Sequence, residues 1–380
     1  MKKLNKYLLL FNLFFLQSYL IRFNIGGYPS NLQEVLIGLQ IIYFLPFLNI
    51  KNIKKYWVIN SLICLSLFSI IINSYIDFTD LARHIKFLFF GSILSFIFLE
   101  TFKTKKEREK GLQILGAGAI TFGIFSLIYN LLGYNISHDL RLLGPLDAAV
   151  YLAFYLSPFF IYFSIKSFKN KENLKYAITL GLLILATKSM GAIGAIFFIL
   201  ILYFFKESNF KISKTHKITA GILSIIVVGT IFYSKILPTL QTEYSSLDER
   251  GQIWTTSLEF LKDPSIVLKG LGYGQFQAHY FENVQGILGK EPLDYYVLQP
   301  HNIFLLFLFH YGILGLIFII YCLYKVLKNP KNIISFIVLY FFIHGLIDTP
   351  IFKNDILFLF ILFLELNFHF KPEAKSIKVA

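Results

Sequence analysis

Apolar runs of roughly 17 to 25 residues recur along almost the whole chain, each long enough to cross a hydrocarbon core of about 30 Å as a helix. Hydropathy places them near Leu4–Ile21, Val35–Ile50, Trp57–Asn73, His84–Leu99, Leu112–Leu132 and Leu146–Ile165 in the first half. The second half continues near Tyr176–Ala186, Gly191–Phe205, Ile218–Tyr233, His301–Tyr324, Ile333–Ile347 and Ile356–Phe370. Composition agrees: 56% of residues are hydrophobic and only 15% charged, too few polar groups to cover a water-facing surface. The expected fold class is an all-α polytopic membrane protein of about twelve transmembrane helices with one large exofacial loop.

The charge pattern orients this array. The formal net charge of +14 is not a nucleic-acid footprint, because Lys and Arg lie in short clusters between apolar runs with no basic face. Alternate loops carry the clusters: Lys2, Lys3 and Lys6; Lys51, Lys54 and Lys55; Lys103 to Lys110; Lys166 to Lys175; Lys206 to Lys217; Lys325 to Lys331; and Lys371 to Lys378. The intervening loops hold Arg22, Arg83, Lys86, Arg141, Lys188 and Lys353 sparsely, with Lys235, Arg250, Lys262, Lys269 and Lys290 diluted in one long loop. By the positive-inside rule both termini are cytoplasmic. The chain divides into residues 1–233, the first nine spans; 234–300, an exofacial loop with an amphipathic helix; and 301–380, the last three spans and a cytoplasmic tail. Met1-Lys2-Lys3 and the apolar stretch after it resemble a secretory signal, but no small-x-small site precedes Arg22, so this reads as an uncleaved first helix. Cys64 and Cys322 both fall in spans and suggest neither a disulfide framework nor a metal cluster.

Any chemistry on the exofacial face runs without ATP. Asp248-Glu249-Arg250 opens a segment in which Ile253, Trp254, Ser257, Leu258 and Leu261 recur at helical spacing up to Asp263-Pro264. Two readings stand beside each other: Trp254 and Leu258 anchor this helix at the interface while Arg250 snorkels to lipid phosphate, or Arg250 clamps a substrate. Gly270-Leu271-Gly272-Tyr273-Gly274 reads as a tight turn, since its spacing is not that of a dinucleotide fingerprint. Pro300-His301-Asn302 ends the loop where the next apolar run begins, which places His301 in the first turn of a membrane helix. A neutral imidazole there can take a proton from a hydroxyl; the bland reading is an interfacial cap. Arg141, before the sixth span, is either an interface Arg or a second cation at the same site. Thr187-Lys188-Ser189-Met190-Gly191 joins two unusually short apolar segments, as a broken hairpin dipping from the outer face would. Asp348-Thr349-Pro350 and Lys353-Asn354-Asp355 form a last exofacial turn, either plainly polar or paired with one of these cations.

These motifs resemble the O-antigen ligase and polymerase superfamily of bacterial envelope glycosyltransferases, over most of the chain from Arg141 onward. The residues are Arg141 to Gly144, the break Thr187 to Gly191, then Arg250, Trp254, Pro264, Gly270 to Gly272 and Pro300-His301-Asn302. One departure is Met190, where many members have an Arg directly after the Ser of the break; Lys188 is the substitute cation. The resemblance implies a GT-C-like fold in the cytoplasmic (inner) membrane. It implies inverting transfer of a glycan from a polyprenyl (undecaprenyl) pyrophosphate to an acceptor hydroxyl at the outer face, with no cofactor and no metal. Arg141 and Arg250, with Lys188, would bind the pyrophosphate and stabilise the charge of its departure. His301 would be the base, with Glu249 in reserve; Ser189, Trp254 and Asn302 complete the expected substrate-binding set. Ligase and polymerase share this chemistry and differ in the acceptor, and the rival from another class is a lipid-glycan flippase or solute carrier.

Overall fold

The computed structural model describes residues 2–25, 28–74, 78–137, 140–207, 246–328 and 332–369, and within them the chain is overwhelmingly helical. Helix α1 (Lys2–Phe14) passes through a short 3-10 turn, Leu16–Leu20, into a hairpin of β1 (Arg22–Ile25) and β2 (Tyr28–Asn31), with Arg22 opposite Asn31. There follow α2 (Leu32–Phe44), the short α3 (Ile50–Ile53), α4 (Trp57–Ile72), α5 (Phe78–Thr101), α6 (Lys105–Leu131), α7 (Ala149–Ser167), α8 (Asn173–Ala186) and α9 (Met190–Glu207). After the long loop begins come α10 (Ser246–Phe260), α11 (Pro264–Lys269) and α12 (Gln275–Leu288), then α13 (Ile303–Lys328), α14 (Ile333–His344) and α15 (Asn354–His369). The ninth predicted span, Ile218–Tyr233, lies outside the described residues; every other predicted span overlaps a helix.

The boundaries move for local reasons. The first helix stops at Phe14 rather than Ile21, because Gln17 and Ser18 turn inward and Gln17 donates to the buried Asp355 carboxylate at 2.6 Å. Helix α2 starts at Leu32, ahead of its apolar run, because Asn31 caps it by accepting from the Glu34 N–H at 3.0 Å. Helix α6 starts two turns before the run, on a capping box of Thr104 and Glu107, so its first turns are polar and invisible to hydropathy. Among the described residues four helices are long and apolar enough to cross a membrane: Leu81–Thr101, Lys105–Leu131, Ala149–Ser167 and Ile303–Lys328. Several others are apolar but shorter, and α14 at 12 residues rises only about 18 Å. The architecture is a helical, multi-pass membrane bundle.

Its axis is α15, in which every residue from Asp355 to Leu366 is buried, enclosed by α4, α5, α7 and α14. Ion pairs fix one end of the bundle: Lys6 with Glu107 at 2.7 Å and Lys166 with Glu109 at 3.0 Å draw together the start of α1, the start of α6 and the end of α7. The α6–α7 connection, the α8–α9 turn and the start of α13 then lie at the other end. The long loop forms its own small core of Ile253, Phe260, Ile266, Phe276, Tyr280, Val284 and Val297, seated on Phe309 of α13. Three helices, rather than the single amphipathic one expected, build it.

That loop is locked to α13 at a kink. Gly312 has φ 64°, and a Cβ there would run into the Leu268 carbonyl. Gly270, at φ 76°, faces it, with its own Cβ direction 2.7 Å from the Phe309 oxygen. The Phe309 carbonyl accepts from Leu271 N–H at 2.7 Å and Gly272 N–H at 3.1 Å, while Ser69 on α4 donates to the His310 carbonyl at 2.8 Å. Backbone groups exposed by a kink at membrane depth need such partners. The Gly-x-Gly stretch is thus a docking turn.

Candidate active site

Helix α10 lies across the mouth of α13 and the turn between α14 and α15. Arg250 and Trp254, four residues apart, project from one face of it. The Trp254 indole N–H donates to the Pro300 carbonyl at 3.1 Å, which ties the ring to the protein rather than to lipid. Arg250 Nε donates to the Ile347 carbonyl at 3.1 Å, and its Nη2 stands 3.5 Å from Asp348 Oδ2.

Asp348 is the junction. Its other oxygen, Oδ1, lies 3.1 Å from His301 Nδ1 and accepts from the Thr349 N–H at 3.0 Å. The carboxylate side chain is 8% exposed, whereas those of Arg250 and His301 are 21% and 24% exposed, so the acid is the floor and the guanidinium and imidazole form the accessible rim. Burial raises the Asp348 pKa, but the hydrogen bond with His301 and the nearby Arg250 guanidinium help outweigh it and hold the carboxyl below the ordinary value of 3.8. An ionised Asp348 fixes Nδ1–H as the donor on His301 and turns Nε2 outward as a proton acceptor.

The backbone that presents His301 differs from the expected one. Asn302, not His301, is the capping residue: its Oδ1 accepts from Phe304 N–H at 3.0 Å and Leu305 N–H at 3.2 Å, and its amide donates to the Leu346 carbonyl at 3.3 Å. The Ile303 N–H is taken by the Gly345 carbonyl at 2.6 Å. His301 therefore sits before the helix rather than in its first turn, with φ 50° in the left-handed region. The missed step was the cap, because Asn at the N-cap is favoured over His.

The break also resolves at the residue level. Helix α8 ends at Ala186; Thr187 Oγ1 donates to the Ile184 carbonyl at 2.6 Å and accepts from the Ser189 N–H at 3.2 Å, and α9 starts at Met190. Lys188 sits at the turn's apex with φ 50°, where glycine is the usual occupant, and its side chain is exposed while Ser189 is buried. Arg141 lies beside this turn, because the Leu142 N–H donates to the Ala186 carbonyl at 3.0 Å. Its segment is pinned by Ser137, which accepts from the Arg141 N–H at 2.6 Å, and by Asn130, which accepts from the Gly144 N–H at 2.7 Å. Gly144, at φ 62°, has no room for a Cβ against Ser126.

Two groupings thus emerge. Arg250, His301 and Asp348 form one by direct contact, with Trp254 and Asn302 holding the backbone behind it. Arg141, Lys188 and Ser189 form the second by backbone pairing, and α14 joins the two, since His344 near its end faces Gly191. Glu249 is half-buried on α10 beside Arg250. Lys353 turns away from both, 3.4 Å from Asp147 and 3.3 Å above the Tyr151 ring. The non-glycine residues with left-handed φ among the described residues are Asn135, Leu140, Lys188 and His301, so backbone strain collects at or next to the candidate residues.

No curated protein matches the chain. Residues 176–320 match the family model described as O-antigen ligase. That stretch runs from α8 across the break and the long loop to the kinked α13, and it contains Lys188, Ser189, Glu249, Arg250, Trp254, His301 and Asn302, with Arg141 and Asp348 flanking it. Over this segment, rather less than half of its length, the chain is similar to the O-antigen ligase family.

Proposed function

We propose that the protein is a membrane glycosyltransferase that moves a glycan from a polyprenyl pyrophosphate to an acceptor hydroxyl at the outer face of the cytoplasmic membrane. The observation that carries this reading is the single carboxylate of Asp348 gripping both Arg250 and His301. Such a carboxylate orients an imidazole as general base while it holds a guanidinium alongside for an anionic leaving group.

The acceptor oxygen attacks the anomeric carbon as the bond from that carbon to the diphosphate oxygen breaks. The acceptor proton passes to His301 Nε2, and the electron pair of the broken bond leaves on polyprenyl pyrophosphate. Arg250 stabilises that departing charge, with Arg141 and Lys188 supplying further cations from the second grouping; guanidinium forks match phosphate oxygens and act strongly in a site shielded from water. Attack opposite the leaving group inverts the anomeric centre. A ligase and a polymerase both use these steps, and the acceptor separates them.

Detergent-purified protein incubated with a synthetic polyprenyl-pyrophosphate sugar and a set of acceptors tests the reading. Transfer with release of polyprenyl pyrophosphate is expected, and the acceptor that accelerates it distinguishes a lipid A core ligase from a polymerase acting on lipid-linked repeats. Movement of the intact lipid-linked sugar across vesicles without release would assign the chain to carriers instead.

A further inference from the structure

Helix α14 ends on a histidine that the steps above leave unused. His344 is 1% exposed, its Nδ1 lies 2.7 Å from the Tyr340 hydroxyl one turn earlier, and its ring packs on Phe154 with centroids 4.7 Å apart. Its other nitrogen, Nε2, is buried without a hydrogen-bond partner among the described residues. Buried polar atoms ordinarily have a protein or water partner, and one left without calls for an explanation.

The direction of Nε2 is fixed by Gly191. A Cβ built on Gly191 would stand 3.3 Å from Nε2 and 3.4 Å from Cδ2 of His344, with no other atom within 4 Å. The ring edge therefore looks onto the first turn of α9, immediately after the Thr187–Ser189 turn, over the face that Gly191 leaves without a side chain. Helix α9 is 18 residues long, so the N–H groups of its first turn and its dipole favour an anion there. Lys188 lies on the same turn, and the Arg141 segment runs alongside through the Leu142–Ala186 bond. In the tautomer in which the Tyr340 hydroxyl donates to Nδ1, the ring hydrogen of His344 is on Nε2, and a donor faces the helix N-terminus beside these cations. The His344 carbonyl also accepts from the Ile347 and Asp348 N–H groups, both at 3.0 Å, so the same residue sets the turn beneath Arg250 and His301.

We propose that His344 is a donor-binding residue, whose Nε2–H hydrogen-bonds a diphosphate oxygen of the lipid-linked substrate where the end of α14 meets the start of α9. This inference rests on the transferase reading and extends it to a contact within the bundle. It also gives Gly191 a role: any side chain at that position narrows the phosphate site.

The full-length protein in detergent, with farnesyl diphosphate as probe and farnesyl monophosphate and inorganic diphosphate as comparison arms, tests it. Thermal stabilisation by the probe and the kcat and KM of transfer are both read. His344→Phe, which keeps the ring and removes the donor, is expected to raise the probe Kd and the KM for the lipid donor about 10- to 100-fold, the worth of one hydrogen bond to a charged group. Its kcat stays within a few-fold, unlike that of His301→Ala. His344→Gln restores much of the binding, and Gly191→Ala reproduces the Phe defect by crowding Nε2. Stronger stabilisation by the diphosphate lipid than by the monophosphate or the free ion locates the contact on the lipid-borne diphosphate. Unchanged KM and probe affinity in folded His344→Phe overturn the inference while leaving the transferase reading intact; should that variant fail to fold, unchanged values in Gly191→Ala do the same. Wild-type protein that neither releases polyprenyl pyrophosphate nor is stabilised by the probe overturns both.

Discussion

A carboxylate shared between a guanidinium and an imidazole makes three side chains behave as one unit, so truncating its centre should cost more than truncating either rim. Asp348→Asn keeps the shape but removes the charge that selects the Nδ1–H form of His301, and transfer should fall by about 10²-fold or more with normal membrane insertion. The pH dependence of stability follows from the depressed carboxyl. Its folded value lies below the unfolded one, so the ionised group contributes stability that is complete above the unfolded value of 3.8 and is lost as pH falls through the folded value. The Tm difference between wild type and Asp348→Asn should hold constant from neutral pH to about pH 5 and shrink below about pH 4; a gap that instead closes between pH 6 and 7 would count against a pre-ionised Asp348. Arg250 makes a separate prediction, because its fork reaches the Ile347 carbonyl and Asp348 at once. Arg250→Ala should remove about 3–4 kcal/mol of transition-state stabilisation, and Arg250→Lys should recover only part of it, since an ammonium lacks the two-point geometry. Equal kcat/KM for the Lys variant and wild type would argue against a fork-dependent role.

At the level of elements, most helices were legible because hydropathy needs only a long apolar run, and most of their errors came from polar turns at the ends. Thr104 with Glu107 and Asn31 with Glu34 extend helices beyond their apolar parts, and cap chemistry of this kind is readable locally. The candidate residues stand out one by one in the sequence, but the contacts that join them do not. Arg250, Trp254 and Pro300-His301-Asn302 stand out as polar or turn residues against apolar surroundings, whereas the partnership of Asp348 with residues 47 and 98 positions away is a property of packing that no local pattern encodes. His344, one turn before Asp348 on an otherwise apolar helix, carries no sequence signal for the same reason. The α13 kink yields a prediction that belongs to elements alone. Gly312→Ala would force a left-handed Ala against the Leu268 carbonyl, at a cost of at least about 1–2 kcal/mol, and should loosen the α11 turn from α13. Faster proteolysis within residues 264–290, at unchanged cleavage of the bundle, is the expected signature; a variant with wild-type cleavage rates would show that the kink does not hold the loop.

For the whole molecule, the decisive quantity is the side of the membrane on which the loop of residues 246–300 lies, because a lipid-linked glycan presented at the outer leaflet cannot reach a site on the other side. The ion pairs of Lys6 with Glu107 and of Lys166 with Glu109 gather several basic clusters at one end of the bundle, while Asp348, Arg250, His301 and the α8–α9 turn occupy the other. By the positive-inside rule the clustered end is the one expected in the cytoplasm. Helices α8 and α14 rise only about 21 Å and 18 Å, less than a hydrocarbon core of about 30 Å. Single cysteines test this directly in a background lacking the exposed Cys64 and the buried Cys322. Lys262→Cys on the exposed edge of the loop should react with a membrane-impermeant maleimide in intact spheroplasts. Lys169→Cys, exposed between α7 and α8, should react only after permeabilisation. The reverse pattern would place Arg250 and His301 in the cytoplasm, where nucleotide sugars rather than lipid-borne glycans are the available donors, and the proposed chemistry would lose its substrate.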